Sequence, residues 1–249
     1  MKITPKQRVC RALEHEETDI VPYNIPINPR SHRKLVETYG EGFDKDIVNH
    51  FAQASLKARL FPPEDIVGDW EDDFGCVWRQ SNDGAPHIFE YVLNRPDIED
   101  YTFPDLSSPE RYGHIPKEIE ANRDKFFVAG GGLLFFERSW AMRGLQQILI
   151  DFYRHPDFAE AFFNKLMELN IQMVEGVTRY DVDAVLFGDD FGMQKGLIMG
   201  PRIWRRFLKP RLKQMYGRAK KAGKFVMIHS CGDNSEIMGD LIEIGVDIF

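Results

Sequence analysis

From about Ser107 to Phe249 the chain alternates short apolar runs with stretches of helical character, and this rhythm limits its fold more than any other feature. The apolar runs are Phe126–Ala129, Asp183–Gly188, Phe225–His229 and Val246–Phe249. Helical patterns fill the intervals at Pro109–Asn122, Trp140–Asp151, Pro156–Tyr180, Arg202–Ala222 and Ser235–Ile244. Strands separated by helices of this length run parallel, because each return to the same sheet needs a long crossover. Gly130-Gly131-Gly132 follows the first run, where it can turn the chain or let its backbone approach something closely.

Upstream the pattern is less regular. Thr4 as N-cap and Pro5 at the first helical position open a helix within the first 20 residues, with Val9 and Leu13 on one face. Ile20–Ile27 reads as a short strand cut off by Pro26 and Pro29. Helical patterns follow at Ser31–Tyr39 and Asp44–Phe61. Between Pro62 and Pro104, the residues Trp70, Phe74, Val77 and Trp78 alternate with acids and glycines, and His87–Leu93 is strand-like. An antiparallel ribbon or elaborated loop, inserted at about 62–104, is expected there.

Two α/β architectures could result, an open doubly wound sheet or a (β/α)8 TIM barrel. Polar residues sit at three different strand ends: Glu137, then Asp189-Asp190, then His229 and Cys231. Barrels assemble their sites from several strand ends, whereas a doubly wound sheet concentrates them at one switch point. The glycine triplet also lacks the third glycine of a dinucleotide fingerprint. The expectation is one TIM-barrel domain over residues 1–249, with five strands and the start of a sixth. Phe249 ends an apolar run with no turn after it, so the barrel is expected to be truncated at its C-terminus, short of the eight strands that close one.

Charge excludes some partners. A net charge of −7 suits neither a nucleic-acid surface nor a polybasic membrane anchor. The basic run Arg202–Arg211, with Arg205, Arg206 and Lys209, reads as the wet face of a helix. No apolar stretch approaches the roughly 20 residues of a membrane helix. Three widely spaced cysteines make no disulfide framework, which points to a reducing cytoplasm.

The chemistry gathers near the C-terminus. In extended backbone, His229 and Cys231 leave the strand end on one face, as an imidazole and a thiol able to share a metal such as zinc. The plainer alternative is a structural histidine beside a small thiol. Asp189 and Asp190 are candidate catalytic carboxylates or a helix N-terminal pair, and only one of two neighbours should face a pocket. Glu137 is a third catalytic candidate, with a surface salt bridge or helix cap as its alternative. Phe136 and Trp140 are candidates for an apolar substrate wall, with core packing as theirs. Cys10 and Cys76 read as structural, and His32, His50, His87, His114 and His155 stay unassigned.

Three segments together resemble the uroporphyrinogen decarboxylase superfamily, and within it the zinc-dependent, corrinoid-linked methyltransferases. Thr4-Pro5-Lys6-Gln7-Arg8 through Asp19-Ile20-Val21-Pro22 is similar to the family's first helix and strand. Gly188-Asp189-Asp190-Phe191-Gly192-Met193-Gln194-Lys195-Gly196-Leu197 through Pro201, Trp204, Phe207 and Lys209-Pro210 is similar to its central strand, loop and helix. His229-Ser230-Cys231-Gly232 matches the H-x-C-G motif of the methyltransferase-type members. The decarboxylase proper lacks that motif and uses no metal. Its M-R-Q-A-G-R loop, whose arginines bind acidic porphyrinogen side chains, is replaced here by the segment from Asn24 to Arg33. The resemblance therefore implies zinc at His229 and Cys231, with a third ligand, a cysteine, beyond Phe249. It also implies methyl transfer between a small thiol or methoxy compound and a corrinoid protein. Porphyrinogen decarboxylation and a non-catalytic ligand-binding barrel are the alternatives.

Overall fold

Thr4 begins the first helix, α1 (Pro5–Leu13), with a reciprocal cap. Its hydroxyl accepts from the Gln7 amide at 3.1 Å, and its own amide donates to the Gln7 side chain at 2.9 Å. Two otherwise orphaned donors are satisfied by this exchange. Thr4→Ala should cost about 1 kcal/mol, read as a lowered midpoint in urea denaturation. These details come from a computed structural model that describes residues 3–63, 66–81 and 85–249.

After α1 come α2 (Pro29–Tyr39) and β1 (Phe51–Ser55). A three-stranded antiparallel sheet follows, made of β2 (Gly68–Glu71), β3 (Val77–Gln80) and β4 (His87–Glu90). The regular part begins with α3 (Ile115–Ala121), β5 (Phe126–Gly132), α4 (Phe136–Arg143), α5 (Leu145–Arg154) and α6 (Pro156–Val177). It continues with β6 (Ala184–Gly188), α7 (Gly200–Ile203), α8 (Lys209–Lys221), β7 (Phe225–His229) and α9 (Met238–Glu243). β1, β5, β6 and β7 form a four-stranded parallel sheet in that order. One of its faces packs on Phe162, Phe163 and Leu166 of α6 and on Leu212, Met215 and Tyr216 of α8. The other face, with Phe126, Val128 and Ala184, is covered by Val9 of α1. Among the described residues, no helix is long and apolar enough to cross a membrane.

Several expected elements form differently. Ile20–Ile27 is not a strand. Pro22 and Pro26 lack an amide proton, and the amides of Tyr23 and Ile25 donate to the side chains of His50 and Asn49 instead. The first sheet strand is Phe51–Ser55, inside the stretch that reads as a helix, because its backbone pairs residue for residue with Phe126–Gly130. Tertiary pairing overrides the helical leaning of Ala52 and Ala54. Gly130–Gly132 do not turn the chain but complete β5. A Cβ at Gly130 would run into the Leu186 backbone, and one at Gly131 would lie 2.6 Å from the Leu56 side chain. Close approach explains Gly130 and Gly131.

The helix expected over Trp140–Asp151 is broken at Gly144, whose φ of 90° ends α4 and starts α5. Arg202–Ala222 is likewise interrupted, by a π-helical turn at Trp204–Leu208. Val246–Phe249 contributes only one parallel bridge, Met227 to Ile248. Within the basic run, Arg205 and Arg206 are half exposed, but Lys209 is largely covered and bonds Asp240 and Glu243. Arg211 is buried, donating to Asn164 and to the Phe207 carbonyl. Cys76 is buried, and that burial pushes its thiol up to about 12.

The antiparallel sheet is fastened to α4 by a buried ion pair. Asp72 accepts from the amides of Phe74 and Cys76, from Trp78 Nε1 and from Arg138 Nη1. Arg138 also donates to the carbonyls of Leu60 and Leu133. Its guanidinium lies over the Phe74 ring at 4.2 Å.

Candidate metal centre

β7 ends by delivering His229 to an exposed rim, while Ser230 turns inward and Cys231 returns to the surface. The Cys231 Sγ then lies 3.3 Å from His229 Nε2. At the end of β6 the Asp190 Oδ1 stands 3.6 Å from the same nitrogen and accepts from the Cys231 amide at 2.7 Å. One ligand atom from each of the three residues falls within 4.8 Å of the others. A tetrahedral zinc with its usual bond lengths sets such atoms about 3.3–3.6 Å apart. A carboxylate, an imidazole and a thiol are a donor set that suits zinc, and the two spacings from His229 Nε2, 3.3 and 3.6 Å, match that geometry. Asp190 brings a third donor from within the chain, independent of any cysteine further on.

The neighbouring Asp189 does different work. It is buried, 6% exposed, and turned away from the cluster into the start of α4. Its carboxylate accepts from the amides of Phe136 and Glu137, both at 2.7 Å, and caps that helix. Its own amide donates to the His229 carbonyl. Burial, and then the Glu137 charge, push its carboxyl well above the usual range. Asp189 thus caps α4 beneath the site, while Asp190 faces the cluster.

A cavity of about 670 Å³ opens beside the cluster. Asp190, His229 and Glu137 form one part of its wall, and Leu56, Leu60, Phe61 and Leu133 form an apolar part. Phe136 and Trp140 do not border it. Phe136 is fully buried in the main core, and Trp140 sits edge-on to Trp78 at 6.4 Å. The aromatic on the wall is Phe61, edge-on to Trp78 at 5.1 Å. The sequence hides it because it ends a stretch that reads as a helix, and β1 before it carries no apolar run to mark a strand end.

Residues 71–249 match the family model described as uroporphyrinogen decarboxylase. The chain belongs to the uroporphyrinogen decarboxylase family. No curated protein matches its sequence. Among solved structures it is similar to a methyltransferase from Methanosarcina mazei, with a TM-score of 0.68 and 18% identity. That likeness covers 99% of this chain and 75% of the other, and it is a likeness of fold.

In this uroporphyrinogen decarboxylase family member the most perturbed carboxyl on the cavity wall is Glu137. Burial, and then the nearby Asp190 charge, push it up to about 7, against hydrogen bonds from the Asp190 and Leu133 backbone. A carboxyl raised on folding holds its proton more tightly in the native state. Its contribution is therefore present below the unfolded value of 4.5 and is lost as pH rises through about 7. For the metal-free protein we expect stability to fall by on the order of 2–3 kcal/mol across that window. Glu137→Gln should flatten the decline, and urea titrations at a series of pH values would show it. An equally steep decline in that variant would assign the effect to another group.

Proposed function

We propose that this chain is a zinc-dependent methyltransferase built on a (β/α)8 barrel, moving a methyl group between a small thiol or methoxy compound and a corrinoid carried by a partner protein. The observation that carries the reading is the convergence of Asp190, His229 and Cys231 at two adjacent strand ends beside a cavity. The barrel is supported by parallel strands in chain order, with polar groups at their C-terminal ends. Three free cysteines favour a reducing cytoplasm.

Asp190, His229 and Cys231 would hold the zinc, which when bound supplies Lewis acidity toward an oxygen or sulfur. The apolar wall at Leu56, Leu60 and Phe61 would seat the methyl-bearing body of the substrate and keep water away from it. Glu137, a carboxyl on the same wall, would exchange a proton with the oxygen or sulfur that gains or loses the methyl group. Porphyrinogen decarboxylation is disfavoured by charge. Among the described residues no lysine or arginine lines the cavity, whereas a substrate with up to eight carboxylates calls for a positive one.

Methyl transfer between methylcobalamin and a panel of small thiols, and between methoxy compounds and reduced cobalamin, tests the reading through the corrinoid's absorbance. Turnover is expected with zinc and not after chelation. Release of carbon dioxide from uroporphyrinogen by the chelated protein would overturn it.

A further inference from the structure

We infer that Asn234 is a positioning residue that sets the Cys231 thiol for the metal, an inference that rests on the zinc reading above. After β7 the segment Ser230-Cys231-Gly232 lies outside the strand. The Asn234 side chain takes all three of its carbonyls. Its Nδ2 lies 3.2 Å from each of the Ser230, Cys231 and Gly232 oxygens. Its Oδ1 accepts from the Ser230 hydroxyl at 3.2 Å. The residue is only 3% exposed, so water does not compete for these bonds. One amide group thus folds three consecutive peptides around itself, with Cys231 at the centre of the arc.

The arc is also locked to the loop that carries Asp190. The Ser230 hydroxyl, while donating to Asn234, accepts from the Phe191 amide at 2.9 Å. The Gly192 amide donates to the Cys231 carbonyl at 3.2 Å, and the Asp233 amide to the Met193 carbonyl at 2.7 Å. At Gly192 a Cβ would stand 2.7 Å from the Cys231 oxygen, so the two loops touch backbone to backbone. Asn234 therefore sits where the loop of one metal-binding group meets the loop of another. Its loss should free the Cys231 peptide to rotate and carry the sulfur out of reach of a shared ion. Outer partners of metal ligands act in this way.

Cobalt(II), a coloured stand-in for zinc, distinguishes this role from general support of the fold. We would titrate it into the wild-type chain, Asn234→Ala, Asn234→Asp and, as a control, Asn170→Ala. Asn170 is a buried amide that bonds the Leu134 and Leu166 carbonyls and none of the carbonyls of this loop. Asn234→Asp keeps the shape of the side chain, removes its donors and adds a negative charge. Both Asn234 variants should bind cobalt about 10–100-fold more weakly and lose intensity in the thiolate-to-cobalt charge-transfer band. Asn170→Ala should lower the melting temperature without either change. A folded Asn234 variant with wild-type affinity and spectrum would overturn the inference and leave the metal centre standing. A wild-type chain that takes up no cobalt would overturn the metal centre itself, and this inference with it.

Discussion

Zinc affinity is expected to fall by more than about 100-fold in His229→Ala, beyond the 10–100-fold range typical of losing a mere outer partner. His229 Nε2 is the shared vertex of the cluster, 3.3 Å from the Cys231 sulfur and 3.6 Å from the Asp190 oxygen. Without it only a carboxylate and a thiol remain, and the thiol is reluctant. Its hydrogen bond to Asp190, followed by partial burial, pushes the Cys231 thiol upward in the metal-free protein. Metal must displace that proton, so binding should also weaken as the pH is lowered. Competition against a coloured chelator gives both numbers. Zinc content equal to the wild type in His229→Ala would remove the metal assignment altogether.

Arg138→Ala should be the most destabilising single change considered, costing about 3–5 kcal/mol, because it leaves Asp72 charged and buried without its partner. Both side chains of the pair are fully shielded from solvent. Asp72 would keep its bonds to Phe74, Cys76 and Trp78, which hold its carboxylate in place rather than letting it reach water. The Leu60 and Leu133 carbonyls would lose their donors in the same step. Leu60 and Leu133 line the cavity, so the damage should reach the substrate wall as well as the fold. Replacing Arg138 and Asp72 together by apolar residues of similar volume should recover much of the loss. Chemical denaturation of the two single variants and the double variant measures the coupling. Additive losses would show that the pair is not a unit.

The strands that carry the site were legible because their sequences are continuous apolar runs buried on both faces, as at Phe126–Ala129, Ala184–Phe187 and Phe225–Ile228. His229 and Cys231 were legible as a pair because side chains two apart in extended backbone share a face. β1 was not, since Ala52, Gln53 and Ala54 carry no strand preference of their own and are held by pairing with β5. The division of labour between Asp189 and Asp190 was half legible: alternation requires them to part, but only the approach of α4 decides which is the cap. Asn234 left no mark in the sequence, because its three acceptors are carbonyls that every residue possesses. His50 was equally silent. It is buried and packed against Arg8 and Tyr23, which lie far from it in the chain.

The order β1-β5-β6-β7 has a temporal meaning. Each strand joins the open edge left by the one made before it, so a nascent chain never has to insert a strand between two already paired. Asp190 leaves the ribosome 41 residues ahead of Cys231, a lead of roughly 2–8 s at about 5–20 residues per second. During that delay Glu137 and Asp190 can already face each other while the imidazole and the sulfur do not yet exist. A zinc held as proposed would be captured only once β7 has docked, so its loading would report correct assembly rather than nucleate it.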